Sequence, residues 1–428
     1  MSPPRLRVLL SAYYCSPYRG SESAVGWQTA AGLAKYHDVT VLFGDLSAAA
    51  PGARDIERYR KETGLPDNLE LVHVQAEGAA RIVNRLHALP GLWFLYYEAY
   101  RRWQRQVLDV ARRMHAERPF DLVHHVTVIG FREPGYLWQL GIPFFWGPVS
   151  GTTEVPPAFV KDFGAKERFR WTTHRLINRM QTRRGGRPGR AALAAAKIWA
   201  VCKEDARVLQ GWGGDPDLMP EVGCVPVEGV VSRSRAEEEP LRLCWSGIFQ
   251  GRKALPLLLR AIAKVGSRDI RLHVLGGGAE AERWHREALS LGIGQCVEWH
   301  GMLPREDALK IFDRTHVFIH TSVKEATSTV ILEALERGIP VVCHDACGMG
   351  TAVNESCGIR IPLEDPGMSV DGFADAIGRF LRDPALLPTL SAGAIVRARE
   401  LSWESKVERI SAAYLHLLGK APGSRLRP

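Results

Sequence analysis

Two glutamates separated by seven residues lie in the stretch His320-Thr321-Ser322-Val323-Lys324-Glu325-Ala326-Thr327-Ser328-Thr329-Val330-Ile331-Leu332-Glu333-Ala334-Leu335. An apolar run ends near His320, and Glu325 falls in the loop that follows. Thr327 or Ser328 has the side-chain chemistry to N-cap an amphipathic helix. The amides of Thr329, Val330 and Ile331 would then be free, and with the helix dipole they would suit a diphosphate. Glu333 falls more than a turn inside that helix, so the two carboxylates can serve opposite ends of one elongated ligand. A capping loop followed by a solvent-facing helical glutamate accounts for the spacing equally well.

Three other groupings invite chemistry and carry less. Asp215-Pro216-Asp217 has the spacing of a carboxylate pair that shares a metal, but it follows Gly211-Trp212-Gly213-Gly214 and reads as a turn. Cys343-His344 and Cys347 suggest zinc, yet no second ligand cluster stands at finger-like spacing, so His344 is expected at a strand end and no metal is expected. Gly276-Gly277-Gly278 after an apolar run is a weak phosphate-loop signal and more often a tight turn.

The elements that must position these residues follow from alternation. Arg5–Ala12, Val39–Phe43, Leu69–Val74, Asp121–His125 and Pro143–Trp146 read as buried strands separated by helical patterns. The series restarts at Leu241–Ser246 and continues through Arg271–Leu275, Val297–Trp299, Val317–His320, Pro340–Cys343 and Gly358–Ile361. An α/β protein with two doubly wound Rossmann-like domains facing across a cleft is the expected fold, its ligands at the carboxyl ends of the strands. The expected division is a first domain over 1–228 and a linker over 229–240 within the polar stretch Pro226–Pro240, which carries Glu237-Glu238-Glu239. A second domain spans 241–401, a C-terminal helix opened by Ser402-Trp403-Glu404 covers about 402–418, and the tail 419–428 is expected to be disordered.

A hydrophobic content of 46% over 428 residues excludes a disordered chain, and no apolar run reaches the length of a membrane span. Met1-Ser2-Pro3-Pro4 leads straight into the first strand without the features of a signal peptide. Eight scattered cysteines fit buried thiols in a reducing compartment, so the cytoplasm is expected. Charge is localised: Lys161–Lys197 holds eleven lysines and arginines against Asp162 and Glu167, and so carries the whole formal excess of +9. Such a patch reads as a surface for something anionic. Arg81–Arg118 is expected to be helical with a break at Pro90-Gly91. Its Trp93, Phe94, Tyr96, Tyr97, Tyr100 and Trp103 beside Arg101, Arg102 and Arg105 fit either an interfacial helix on an anionic bilayer or core packing. No recognised nucleic-acid module is present, so peripheral attachment to the inner face of a membrane is the expectation.

The Glu325–Glu333 segment, with Gly338-Ile339-Pro340-Val341-Val342 and Cys347-Gly348-Met349 beyond it, resembles the signature of family 4 glycosyltransferases, retaining enzymes of the GT-B fold. Pro17-Tyr18-Arg19-Gly20-Ser21-Glu22 and Gly26-Trp27 resemble the first loop of that family, which implies donor phosphates near Gly20 and Ser21. Asp121-Leu122-Val123-His124-His125 resembles its first-domain strand ending in a histidine at the sugar. Trp146-Gly147-Pro148-Val149-Ser150-Gly151 and Pro220-Glu221-Val222-Gly223 are similar to further blocks. The resemblance implies that Glu325 contacts the transferred sugar, Glu333 the ribose, and the Gly301-Met302-Leu303 turn the base.

The family pattern also has an arginine after the first glycine of Ser246-Gly247-Ile248-Phe249-Gln250-Gly251-Arg252-Lys253-Ala254, and a lysine five positions later. Lys253 holds the lysine position; Ile248 stands where the arginine belongs, and Arg252 is the candidate replacement. The implied activity is transfer with retention from a nucleotide-diphosphate sugar to a membrane-associated or glycan acceptor. Neither metal nor cofactor is implied beyond the donor itself. A nucleotide-sugar epimerase of the same fold and a non-catalytic membrane adaptor are the rival readings, the latter resting on Ile248.

Overall fold

Apolar runs without polar alternation demand cover on both faces of a sheet, and that is how the chain folds. The computed structural model describes residues 4–44, 51–87 and 95–419. A first sheet comprises β1 (Arg7–Ala12), β2 (Asp38–Phe43), β3 (Leu69–His73), β4 (Leu122–Thr127), β5 (Phe144–Val149), β6 (Ala195–Ala200) and β7 (Pro216–Leu218). Its order is β3-β2-β1-β4-β5-β6-β7, every pair parallel. The second sheet comprises β8 (Leu241–Ser246), β9 (Ile270–Leu275), β10 (Val297–Gly301), β11 (Val317–His320), β12 (Val341–His344) and β13 (Gly358–Ile361). Its order is β10-β9-β8-β11-β12-β13, again parallel throughout. Strand order reverses between β1 and β4 and between β8 and β11, which sets the crevice of each half at the carboxyl ends of those strands.

Two strands differ from expectation. β6 lies in Ala191-Ala192-Leu193-Ala194-Ala195-Ala196-Lys197, which has the composition of a helix, and the helix Gly186–Ala194 does run into it. Burial of Ile198, Trp199 and Ala200 in the sheet overrides alanine's preference. Asp215-Pro216-Asp217, expected as a turn, enters the edge strand β7, and both carboxylates bind the Lys197 ammonium at 3.1 and 3.0 Å. A lysine, not a metal, holds that pair.

The chain crosses between the halves more than once. The helix Trp403–Leu417, capped by Ser402 Oγ accepting the Ser405 amide, returns to the first half. It packs on the helix Glu22–Leu33 so closely that a Cβ at Gly32 would stand 2.5 Å from Val407 Cγ2. The Tyr414 hydroxyl lies 2.6 Å from His124 Nδ1, and Ser411 Oγ 2.8 Å from His37 Nε2. In the other direction, Val155, Phe159, Val160 and Phe163 bury themselves in the second half's core beside Trp245, Trp284 and Leu257. Asp162 pairs with Arg260, and Glu167 accepts the Gly251 amide.

These contacts redraw the basic patch. Arg187 is paired with Glu133 and Arg179 with Glu154, so with Lys197 three of its cations serve the fold. Arg168, Arg170, Arg183, Arg184 and Arg190 remain exposed. The helix Ala165–Arg184 also exposes Phe169, Leu176, Ile177 and Met180, which share one face at helical spacing. The region 81–118 divides into the helices Gly78–His87 and Tyr96–Glu117. Tyr100 and Trp103 are core residues, Trp103 Nε1 donating to the Val74 carbonyl at 2.6 Å, and Arg101 and Arg102 pair with Glu98. Core packing therefore accounts for those aromatics. Trp93 and Phe94 lie outside the described residues. All eight cysteines are buried free thiols, and among the described residues no helix is long and apolar enough to cross a membrane.

Candidate active site

Parallel strands deliver their carboxyl ends to one rim, and β8 and β11 bring two loops together there. The loop after β11 is stitched to the loop after β8: the Val323 amide donates to the Arg252 carbonyl at 2.9 Å, and Thr321 Oγ1 donates to the Lys253 carbonyl at 2.7 Å. Trp245 Nε1 in turn donates to Thr321 Oγ1 at 2.9 Å. This stitching presents Glu325 to two cations. Arg252 Nη1 donates to Glu325 Oε1 at 2.6 Å and to the Lys324 carbonyl at 3.1 Å, and Lys253 Nζ pairs with the same carboxylate oxygen. Burial lowers the Lys253 pKa, and the Glu325 carboxylate beside it opposes that shift. Ile248, at the position of the family arginine, is exposed and apolar, whereas Arg252 reaches the glutamate.

The helix after Glu325 runs over Thr329–Glu336 with Ser328 at its N-cap, extended in backbone, its side chain making no capping bond. The Thr329 and Val330 amides donate to no partner among the described residues. The Ile331 amide, expected free, donates to the Ser328 carbonyl at 3.0 Å, so two of the three amides expected free remain so. The Thr327 amide is taken as well, donating to Glu221 Oε1 at 2.6 Å. Cys347, at φ +55°, and Gly348 close the far side: the Gly348 amide donates to the Ala326 carbonyl at 3.0 Å, and a Cβ there would stand 2.5 Å from that oxygen.

Glu333 lies one helical turn deeper, and Arg305 grips its Oε1 through Nε at 3.1 Å and Nη2 at 2.9 Å. Arg305 follows the Gly301-Met302-Leu303 turn, whose Met302 is exposed, so that turn and Glu333 do share one end of the cleft. Gly276-Gly277-Gly278 belongs to the same end. A Cβ at Gly276 would stand 1.9 Å from the Gly247 carbonyl, and one at Gly277 would stand 3.5 Å from Met302 Cγ. This weak sequence signal thus marks where β9, β8 and the β10 turn converge.

On the first-half rim, Gly20 has open space around it, and Ser21 adopts φ +56°, a strained geometry for a residue with a side chain. Glu22 Oε1 accepts the Ile129 amide at 2.9 Å, joining this loop to the one after β4. His125 is placed differently from expectation. Its ring is 1% exposed and packs inside the first half, where a Cβ at Gly135 would stand 3.1 Å from Nδ1. Burial pushes its pKa down to about 4. The ring is closed off from solvent, with both of its nitrogens buried. His344, the zinc candidate, spends both nitrogens on the Ser322 carbonyl and Ser369 Oγ, at 3.0 and 3.1 Å.

Four residues escaped sequence reasoning as site residues. Arg305 holds Glu333, and Glu221 holds the Thr327 amide from the first half. Lys324 reaches across the cleft, Nζ donating to the Thr153 carbonyl at 2.7 Å, and burial pushes its pKa down to about 8. Arg132 faces the same region, near enough to repel the Lys324 charge. Only Glu221 carried a signal, as part of Pro220-Glu221-Val222-Gly223.

Residues 231–397 match the family described as glycosyl transferases group 1. The D-inositol 3-phosphate glycosyltransferase of Streptomyces bingchenggensis is 27% identical over 52% of this chain and 53% of its own length. That of Thermobifida fusca is 30% identical over 54% and 57%. The chain thus spans about half the length of the curated relatives it matches. Among solved structures, sucrose-phosphate synthase from Thermosynechococcus elongatus superposes with a TM-score of 0.61 at 19% identity, covering 97% of this chain and 100% of that one. The lipopolysaccharide outer core galactosyltransferase WaaB gives 0.63 at 13% identity, covering 96% and 99%. Anabaena HepE, solved with UDP-glucose, gives 0.52 at 13%, covering 95% and 99%. The fold of the whole chain is theirs.

Proposed function

We propose that this chain, whose residues 231–397 match the group 1 glycosyl transferases and whose two sheets form the GT-B fold, moves a sugar from a nucleotide-diphosphate donor to a membrane-associated acceptor, with retention and without a metal. The observation that carries this reading is the Arg252–Glu325–Lys253 cluster set beside the open amides of Thr329 and Val330. A donor diphosphate entering there meets two cations and a helix N-terminus, and it competes with Glu325 for both cations. Glu325, released from them, accepts hydroxyls of the sugar. The same cations then stand where negative charge develops as the glycosidic bond breaks, which is where preorganised donors lower a barrier. Glu333, once freed from Arg305, accepts the ribose hydroxyls, with the base on the Gly301–Leu303 turn. The departing phosphate assists attack by the acceptor on the same face, through an oxocarbenium-like sugar.

Membrane association is supported by the exposed stripe Phe169, Leu176, Ile177 and Met180 flanked by Arg168, Arg170, Arg183 and Arg184. An apolar stripe between cations seats a helix in an anionic interface. The inner face of a membrane is the location this reading assigns. Incubation with a panel of nucleotide sugars, followed by release of nucleotide diphosphate and the anomeric configuration of the product, tests the proposal. No release from any donor, or inversion, overturns it.

A further inference from the structure

Between the start of the helix Tyr96–Glu117 and the end of the helix Ala165–Arg184 lies an open cavity of about 580 Å³. Five arginines line it, against one carboxylate, Glu133. Glu133 is 2% exposed and already paired to Arg101 and Arg187, so it neutralises the cavity floor and nothing more. The other three guanidinium groups are those of Arg105, Arg132 and Arg184, and among the described residues none of them has a carboxylate partner. Arg132 is the telling one. It is half-buried, its Nε and Nη2 donate only to the amide oxygens of Gln181 (2.6 Å) and Asn178 (2.7 Å), and it lies over the Phe131 ring at 4.5 Å. A guanidinium withdrawn from water and held by neutral groups keeps its full charge for an anion.

Position supplies the rest. Asn178, which holds Arg132, donates to the Thr152 carbonyl at 2.7 Å, and the next carbonyl, that of Thr153, receives Lys324. The cavity wall is therefore continuous with the loop that carries Glu325. On its other side, Met180 lines the cavity and also ends the exposed apolar stripe. One ligand chemistry meets both surfaces: an anionic head within reach of the cleft and an apolar chain running out along the helix Ala165–Arg184.

We infer that this cavity takes the phosphate group of a lipid-borne acceptor, gripped by Arg105, Arg132 and Arg184, with its chain on the Met180 stripe. The inference rests on the glycosyltransferase reading only for the word acceptor; the phosphate site stands on the arginines. The test is calorimetric titration of the intact protein with dihexanoyl phosphatidic acid below its micelle concentration, with dihexanoyl phosphatidylcholine and inorganic phosphate as comparison probes. Phosphatidic acid is expected to bind, phosphatidylcholine not to displace it, and inorganic phosphate to bind more weakly with the same dependence on the arginines. Arg132→Gln should weaken binding by about tenfold or more. Arg132 is half-buried, so the double variant Arg105→Gln/Arg184→Gln, confined to exposed residues, provides a second measurement that does not threaten the fold. Unchanged affinity in the double variant overturns the site, and inorganic phosphate binding as tightly as phosphatidic acid overturns the lipid part. Phosphatidic acid bound without nucleotide diphosphate release from any sugar donor defeats the transferase reading and leaves the site; release without such binding does the reverse.

Discussion

Glu221 of the first half holds the Thr327 amide of the second at 2.6 Å, two residues past Glu325. Burial raises the Glu221 pKa and lowers that of Lys406, whose ammonium binds the Glu221 carbonyl from the C-terminal helix. Glu221→Ala leaves the buried Thr327 amide without its partner and removes the carboxylate charge beside the buried Lys406 ammonium, which keeps its bond to the main-chain carbonyl of residue 221, so a loss of about 2–4 kcal/mol in chemical denaturation is expected. In a double-mutant cycle with Lys406→Met the two losses should fall well short of additive. Additive losses would mean that the two groups act apart.

The two signature glutamates should separate kinetically. Glu325→Gln loses contacts that strengthen as the sugar gains charge, so kcat falls more than KM rises. Glu333→Gln loses the ribose contact and chiefly raises the donor KM. Arg252→Ala, which removes a cation from the diphosphate, should cost about 1.5–3 kcal/mol in kcat/KM. Wild-type kinetics for Arg252→Ala would leave Lys253 as the sole clamp.

Chelation should leave turnover intact, because Arg252, Lys253 and helix amides supply the positive field. Among the described residues the side chains that could group around a metal are His273, Glu298 and His300, on β9 and β10, which β8 separates from β11. An enzyme silenced by chelator and restored by manganese or magnesium would refute the metal-free mechanism.

Anionic vesicles should sediment the protein. Each basic residue near such a surface contributes roughly 1 kcal/mol. Arg168→Glu/Arg183→Glu together with Phe169→Ser should therefore release it while sparing the arginines of the cavity. High salt should act in the same direction. Vesicle binding indifferent to both would remove the helix Ala165–Arg184 from any membrane role.

Acid should loosen the fold in a defined window. Burial holds the pKa of His124 at about 3 and those of His125 and His344 at about 4, well below the ordinary 6.5. Between about pH 4 and 6.5 the unfolded chain therefore binds more protons than the native one, and stability rises with pH there. The Tm should drop by several degrees from pH 7 to pH 5. His344→Gln, which removes one such group, should flatten that slope even if it lowers the Tm at both pH values.

The parallel strands were legible because burial on both faces writes them as unbroken apolar runs such as Val317-Phe318-Ile319-His320. β6 was not, since its alanines favour a helix until Trp199 and Ile198 find the sheet. Within the site, Glu325 and Glu333 were legible through spacing along one loop and one helix, and Lys253 through the resemblance of Ser246–Ala254 to the family pattern. Arg305, Lys324, Glu221 and Arg132 were not, because each meets its partner only after the strand order has brought distant loops to one rim. At His125 the strand fixes the motif position, whereas the face its ring takes is set by packing against residues such as Gly135.

The segment 155–163, seated in the second core, and the helix Trp403–Leu417, seated on the first, amount to a reciprocal exchange of parts within one chain. Each half lends the other an element that completes its interior. Cut along 226–240, the two fragments are expected to stay clasped, and made separately each is expected to expose the socket its counterpart fills. Any opening of the cleft must also bend these two straps.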